Sequence, residues 1–324
     1  MTQLDLCVLT GFLGSGKTTL LKAFLDSLEG FGTAVIVNEA GEVGIDGALL
    51  AEGREQPSVT MLSNGCVCCV AGGDLTFTIE DLLASLPAPP LRIVLETSGL
   101  SKPGAILRAL QLRRTVPLQV RVVSTFDCVR HDAIAEFEEA AAQWAAAQAL
   151  VLTRQDLAGP ERVAAAAEMA RAVNPLAVVI EQPDRAAAFA QALAAGVRDM
   201  APPQDGPAHP RIATVFARQT GAIAWRELAG CLDMLGFQLG ERLLRMKGLI
   251  RLGTDAEPTL IQAVGTLFSP PRPFAGPEQT LGLTLITRDT SANEVLELMQ
   301  SLAFSLQVPS PFGRGTASSG LRAF

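Results

Sequence analysis

Tyrosine is absent from this chain, and histidine occurs only at His131 and His209. A His-rich metal-storage tract is therefore excluded. Positive charge is also short: 26 Lys and Arg face 33 Asp and Glu, a net charge of −7. That balance argues against nucleic-acid binding through a general basic face. No uninterrupted apolar run reaches the roughly 18 residues that a membrane span requires. The Ala-rich stretch 140–152 carries Gln143 and Gln148 and is too short to cross a bilayer. The opening MTQLDLCVLT lacks the basic start and cleavage site of a secretory signal. A cytoplasmic protein with no nucleic-acid or membrane partner is expected. Six Cys are too few for a secreted disulfide scaffold, yet three of them crowd into positions 66–69.

What is present is enough to build a core. Apolar residues make up 48% of the 324 positions and charged residues 18%, which excludes a mostly disordered chain. At roughly 100–200 residues per domain, the length suggests about two domains. Short apolar runs at 4–10, 33–37, 91–95, 118–123, 150–153 and 177–180 read as strands. Helical spacing lies between them at 18–28, 75–86, 104–111, 133–149 and 161–173. Such alternation implies an α/β fold, a mostly parallel sheet covered by helices on both faces. The stretch 201–210, APPQDGPAHP, is a linker by composition. Beyond it, strands at 211–217, 243–252, 260–267 and 281–286 and helices at 225–236 and 291–304 predict a smaller α+β domain with an antiparallel sheet. The expected division is 1–200, linker 201–210, second domain 211–308 and mobile tail 309–324.

Residues 11–18, GFLGSGKT, match G-x-x-x-x-G-K-[ST] at every fixed position, after a strand and before a helix. Gly11, Gly14, Ser15 and Gly16 turn backbone N–H groups around phosphate oxygens at the positive end of the helix. Lys17 reaches the β- and γ-phosphates, Thr18 ligates Mg²⁺, and Thr19 follows at the helix start. The motif calls for a nucleoside triphosphate and is silent about the base.

Acids follow the second and third strands. Residues 38–46, NEAGEVGID, place Glu39 and Glu42 near the γ-phosphate and its metal. Gly41 and Gly44 let that segment order around the phosphate as a switch. Residues 91–99, LRIVLETSG, deliver Glu96 at a strand end, the Walker B arrangement, with Gly99 close to the γ-phosphate. Glu39 or Glu96 could orient the attacking water.

Residues 64–69, NGCVCC, hold Cys66, Cys68 and Cys69. Three thiolates converging through the Gly-led turn suit Zn²⁺ or another thiophilic ion, with Glu42, water or a partner in the fourth position. An open site fits metal transfer better than permanent structure. Vicinal-thiol redox chemistry and plain core packing are the competing readings. Cys7, Cys128 and Cys231 read as core residues.

After the fifth strand comes LVLTRQDL, 150–157. Guanine-specific P-loop proteins resemble one another here through Asn-Lys-x-Asp. Thr153, Arg154, Gln155 and Asp156 stand at those positions. Asp156 keeps the acceptor for the guanine edge, and Arg154 can cover the ring with its planar head. Thr153 is shorter than Asn and makes fewer hydrogen bonds. GTP is expected over ATP.

Together GFLGSGKTT, NEAGEVGID, NGCVCC and ETSGL resemble the CobW family of metallochaperone GTPases, and RMKG at 245–248 and QAVG at 262–265 resemble its C-terminal domain. The resemblance implies a slow GTPase that uses GTP and Mg²⁺. It implies Zn²⁺ or Co²⁺ held by Cys66, Cys68 and Cys69 with an acid such as Glu42, and delivery to a client metalloprotein. Arg245 and Lys247 are candidate client contacts or ordinary strand-edge charges. This chain departs from the family in TRQD, in lacking His-rich stretches and in Ala40, where an aromatic is common. Two other readings stand beside this one: a small-molecule kinase with a structural zinc turn, and a non-enzymatic metal or redox sensor. No oligomeric state is implied.

Overall fold

The computed structural model describes residues 4–38, 59–61, 73–112, 118–195, 209, 211–253, 256–274, 276, 280–300 and 302–307. Strands β1 (Leu4–Thr10), β2 (Thr33–Asn38), β3 (Val59–Met61), β4 (Arg92–Thr97), β5 (Leu118–Asp127), β6 (Ala149–Thr153) and β7 (Val178–Ile180) form one parallel sheet. Its order is β3-β2-β4-β1-β5-β6-β7. The helices between them are α1 (Lys17–Asp26), α2 (Gly73–Ser85), α3 (Pro103–Leu112), α4 (His131–Ile134), α5 (Glu138–Ala146), α6 (Pro160–Val173) and α7 (Arg185–Ala194).

Helices on both faces explain why the middles of the central strands, 6–9 of β1 and 93–95 of β4, are apolar on both sides. Leu6 and Val8 of β1 face one core with Ile79 of α2, Ile106 of α3 and Trp144 of α5. Cys7 and Leu9 face the opposite core with Phe24 of α1 and Phe189 of α7. Cys7, Cys128 and Cys231 are buried free thiols, as expected of core residues. Burial pushes Cys7 up to about 12 and Cys128 and Cys231 up to about 11, so all three stay protonated and unreactive near neutral pH.

The second half is antiparallel. Strands β8 (Ile212–Gln219), β9 (Leu243–Arg251), β10 (Pro258–Val264), β11 (Leu267–Phe268), β12 (Arg272–Pro273), β13 (Gly282–Arg288) and β14 (Phe304–Gln307) run in the order β11-β10-β9-β13-β8-β14, with β12 on β10. Helices α8 (Trp225–Leu239) and α9 (Ala292–Met299) cover one face, packing Leu228, Leu235 and Val295 on Met246 and Leu285. Ile212, Leu244 and Ile286 instead join the core of the first sheet, so the two halves share buried apolar surface.

Two expected helices are corrected. The run 133–149 is broken, because Phe137 is extended (φ −75°, ψ 129°) where its ring stacks on Phe12 at 4.9 Å. The helix expected to reach 304 stops at Met299; Phe304–Gln307 pairs with β8 as an edge strand. Of the expected linker 201–210 only His209 is among the described residues, buried with its ring against Trp144, and the expected tail 309–324 lies outside them.

Arg245 and Lys247 are not at a strand edge. β9 lies between β10 and β13, and both side chains are buried, so neither is placed to meet a client. Burial, with Arg245 and Arg272 nearby, pulls Lys247 down to about 7. An unfolded chain keeps that proton to about pH 10.4. Between those values the unfolded state binds more protons, so this residue's penalty on stability fades as pH rises. Lys247→Met is expected to raise the melting temperature by a few degrees at pH 6, and the gain should shrink toward pH 10. An equal gain at both pH values would show that the lysine is not held neutral.

Candidate functional site

The phosphate loop joins β1 to α1. Gly11 has φ +144°, and a Cβ there would lie 1.9 Å from Thr125 Oγ1, so only glycine lets the loop leave the sheet this closely. Ser15 N donates to Phe12 O at 3.1 Å, and the Ser15 and Thr125 hydroxyls are 2.6 Å apart. Gly16 caps α1 in the left-handed region at φ 91°. Lys17 is buried, and its Nζ donates to Gly11 O at 2.8 Å and Phe12 O at 3.4 Å. The ammonium is thus parked on its own loop, aimed across the space that phosphates would fill.

Neighbouring strands complete the wall. β4 runs beside β1 in parallel, so its C-terminal end arrives at the loop. There buried Glu96 accepts the Thr18 hydroxyl, Oγ1 to Oε1, at 2.6 Å. A hydroxyl and a carboxylate are hard oxygen donors of the kind Mg²⁺ takes. Gly99 packs on the loop itself; a Cβ there would come within 2.7 Å of Leu13 Cα and N. Buried Gln143 fixes the turn after Glu96 by donating to Gly99 O at 3.0 Å and Ser101 O at 3.1 Å.

A cavity of about 1110 Å³ runs from this loop to the ends of β6 and β7. Lys17, Thr18, Thr19, Glu96 and Gly99 line one part, and Thr153, Arg154 and Asp156 another. The size suits a nucleotide. The Thr153 hydroxyl donates to Ser15 O at 2.7 Å and approaches Phe126 O at 3.3 Å, so it ties β6 to the phosphate loop. Arg154 sits at φ 57° with Nη1 3.4 Å from Asp127 Oδ2. The Asp156 carboxylate is exposed and meets Arg185 at 3.3 Å.

The structure adds residues that the sequence reading passed over. Asp127, fully buried at the end of β5, accepts from Val129 N at 2.9 Å, Arg130 N at 3.2 Å and Arg130 Nε at 2.9 Å. Arg130 Nη2 then donates to Leu13 O at 2.9 Å, bracing the loop from outside. The signal was available: Asp127 ends a strand next to β1, the same signal that picked out Glu96. Ending that strand at 123 hid it. Glu39, Glu42, Cys66, Cys68 and Cys69 lie outside the described residues. Among the described residues there is no cluster of three or more metal-ligating side chains, and no helix is long and apolar enough to cross a membrane.

Comparison with known proteins fits this geometry. Residues 5–181 match the family described as CobW/HypB/UreG, nucleotide-binding domain, and residues 212–303 match the cobalamin synthesis protein cobW C-terminal domain. The chain is 35% identical over 166 residues to the zinc chaperone YjiA of Escherichia coli (strain K12), covering 49% of this chain and 52% of that protein. It is 31% identical over 183 residues to the zinc-regulated GTPase metalloprotein activator 1 of Schizosaccharomyces pombe, covering 54% and 44%. It therefore spans about half or less of the length of these curated relatives. The crystal structure of Zn(II)-bound YjiA GTPase from E. coli superposes with a TM-score of 0.71 at 22% identity, covering 93% of this chain and 99% of that one, which shows a shared fold. With residues 5–181 and then 212–303 matched in that order, the chain belongs to the CobW/HypB/UreG nucleotide-binding family and carries a CobW C-terminal domain.

Proposed function

We propose that this chain is a GTP-hydrolysing metallochaperone that binds Zn²⁺ at Cys66, Cys68 and Cys69 and couples its nucleotide state to metal transfer to a client metalloprotein. The observation that supports it most is the Thr18–Glu96 contact at 2.6 Å beside the parked Lys17, in a chain whose relatives are named zinc chaperones and a zinc-regulated GTPase activator. The proposed division of labour places nucleotide and metal in residues 1–200 and client contacts beyond the linker at 201–210.

Bound GTP displaces Lys17 Nζ from Gly11 O and draws it onto the β- and γ-phosphates. The backbone of Gly14 and Gly16 cradles the phosphates, with Ser15 held by Thr125 and Thr153. Thr18 would hold Mg²⁺, with Glu96 behind it; the ion would neutralise charge developing on the phosphates. Glu96 or Glu39 orients the attacking water. The 38–46 segment orders on the γ-phosphate and brings Glu42 toward the Cys cluster as the fourth Zn²⁺ ligand; hydrolysis releases it and lowers metal affinity. Co²⁺ is the second cargo that a thiolate-rich site accepts.

A Zn²⁺ competition titration against a chromophoric chelator tests this, run without nucleotide, with GDP·Mg²⁺ and with a non-hydrolysable GTP analogue. The expected result is about tenfold tighter Zn²⁺ binding in the analogue state than with GDP, roughly 1.4 kcal/mol of coupling. Cys66→Ser should abolish the difference. Equal affinity in all three states rejects a nucleotide-gated cargo site.

A further inference from the structure

The base end of the cavity poses a question of supply. Guanine presents two N–H donors on one edge and the O6 and N7 acceptors beside them. Asp156 can take the donors. Something must donate to O6 and N7, and the residues of the 153–156 turn are already occupied. The Thr153 hydroxyl is held by Ser15 O and Phe126 O. The Gln155 amide nitrogen donates to Leu152 O at 3.1 Å and Gln182 O at 3.3 Å. Arg154 leans on Asp127.

The remaining cation lining this part of the cavity, among the described residues, is Arg185. Its Nη2 lies 3.3 Å from Asp156 Oδ2, and both side chains are about half exposed. An exposed pair of this kind is weakly held in water, so a base can part it. The backbone of Arg185 is not loose. It opens α7 directly after Asp184, whose side chain accepts from Ala187 N at 2.8 Å as an N-cap. Helix α7 in turn packs on α1 through Phe189 and Phe24, rings 5.0 Å apart and edge to face. The guanidinium is thus referenced to the same helix that carries Lys17 and Thr18.

We propose that Arg185 is the specificity-determining residue for guanine: Asp156 accepts from N1–H and the 2-amino group while Arg185 donates to O6 and N7. The fork geometry of a guanidinium matches that pair of acceptors. Adenine placed the same way offers an amino group to Arg185 and a bare N1 to Asp156, and fails at both. This proposal deepens the GTP reading above and rests on it. It also explains how TRQD can select guanine when Thr153 is committed to the phosphate loop.

The test is competition of GDP, inosine diphosphate, 7-deaza-GDP and ADP against a fluorescent GDP derivative, on the full chain. Wild type should prefer GDP over ADP by at least tenfold and lose affinity for 7-deaza-GDP. Arg185→Gln should weaken GDP by about tenfold, leave ADP unchanged and bind 7-deaza-GDP as well as GDP. Arg185→Glu should bind GDP more weakly still. Because Arg185 is exposed, both variants should melt with wild type. If Arg185→Gln keeps the wild-type ratio of GDP to ADP, the proposal is wrong and the GTP reading stands. If wild type itself does not distinguish GDP from ADP, the guanine reading fails and this proposal with it.

Discussion

Lys17→Ala is expected to weaken GDP and GTP binding at least a hundredfold while leaving the fold intact. The Lys17 ammonium donates to Gly11 O and Phe12 O of its own loop. When nucleotide enters, those bonds are exchanged for bonds to phosphate oxygens, each charge-assisted and worth roughly 1.5–3 kcal/mol. The carbonyls given up are neutral and the phosphate oxygens are charged, so the exchange favours the bound state; a hundredfold corresponds to roughly 2.7 kcal/mol. The loop should survive the change. Ser15 stays bonded to Phe12, Thr125 and Thr153, and Arg130 still holds Leu13 O. Titration calorimetry with GDP·Mg²⁺ gives the affinity, and thermal melting gives the fold. Wild-type GDP affinity in the variant would mean that nucleotide phosphates do not occupy this end of the cavity.

The same loop shows what a sequence can disclose. GFLGSGKT was legible because its function is carried by contiguous backbone, and backbone geometry follows local residue choice. The parallel sheet was legible for a similar reason: the middles of β1, β4 and β6 (6–9, 93–95 and 149–152) are buried and read as short apolar runs. Thr153 was not legible in its actual place. Its substitution for Asn looks like a weakened base contact, whereas its hydroxyl spans 138 residues of sequence to hold Ser15 O. Arg130 and Arg185 escaped because what identifies each is its partner in space, and Asp127 because its strand runs four residues past the apolar stretch that ends at 123. Two expected helices ran too long for a comparable reason. Phe137 and Phe304 have helix-compatible neighbours, and only ring stacking on Phe12 and pairing with Gln219 pull them into extended backbone. Arg245 and Lys247 were placed on the surface because charge on a strand usually sits there.

Arg245→Ala is expected to destabilise the protein by roughly 2–5 kcal/mol, from buried carbonyls left without their donor and from the void left by the side chain, and to loosen the second sheet from the first. Arg245 Nη1 lies 2.5 Å from Ala146 O, 2.6 Å from Ala147 O and 3.4 Å from Ala145 O. These carbonyls end α5, where the helix dipole is negative and the last C=O groups have no partner inside the helix. Asn174 covers part of the same end, donating to Trp144 O at 2.7 Å, Ala147 O at 3.0 Å and Ala145 O at 3.1 Å. Arg245 is the contribution from the other half of the chain. Its burial alone is unfavourable and lowers its pKa to about 10, so the carbonyls must offset that cost. Truncation removes the donor and leaves acceptors and a void together. Arg245→Met is the informative control, since it fills the void without the charge. Chemical denaturation followed by limited proteolysis separates the outcomes. If the interface depends on the hydrogen bonds, both variants lose stability and protection near α5. If it depends on volume, Met restores both. The surface pairs Arg211 with Asp289 and Lys102 with Glu138 and Glu241 are solvent-screened and cannot replace it. Because α5 also carries Gln143, which fixes the turn after Glu96, a loosened α5 should reach the nucleotide site. Slower GTP hydrolysis in Arg245→Ala, rescued by Met only if packing is what matters, would connect the second domain to the chemistry of the first.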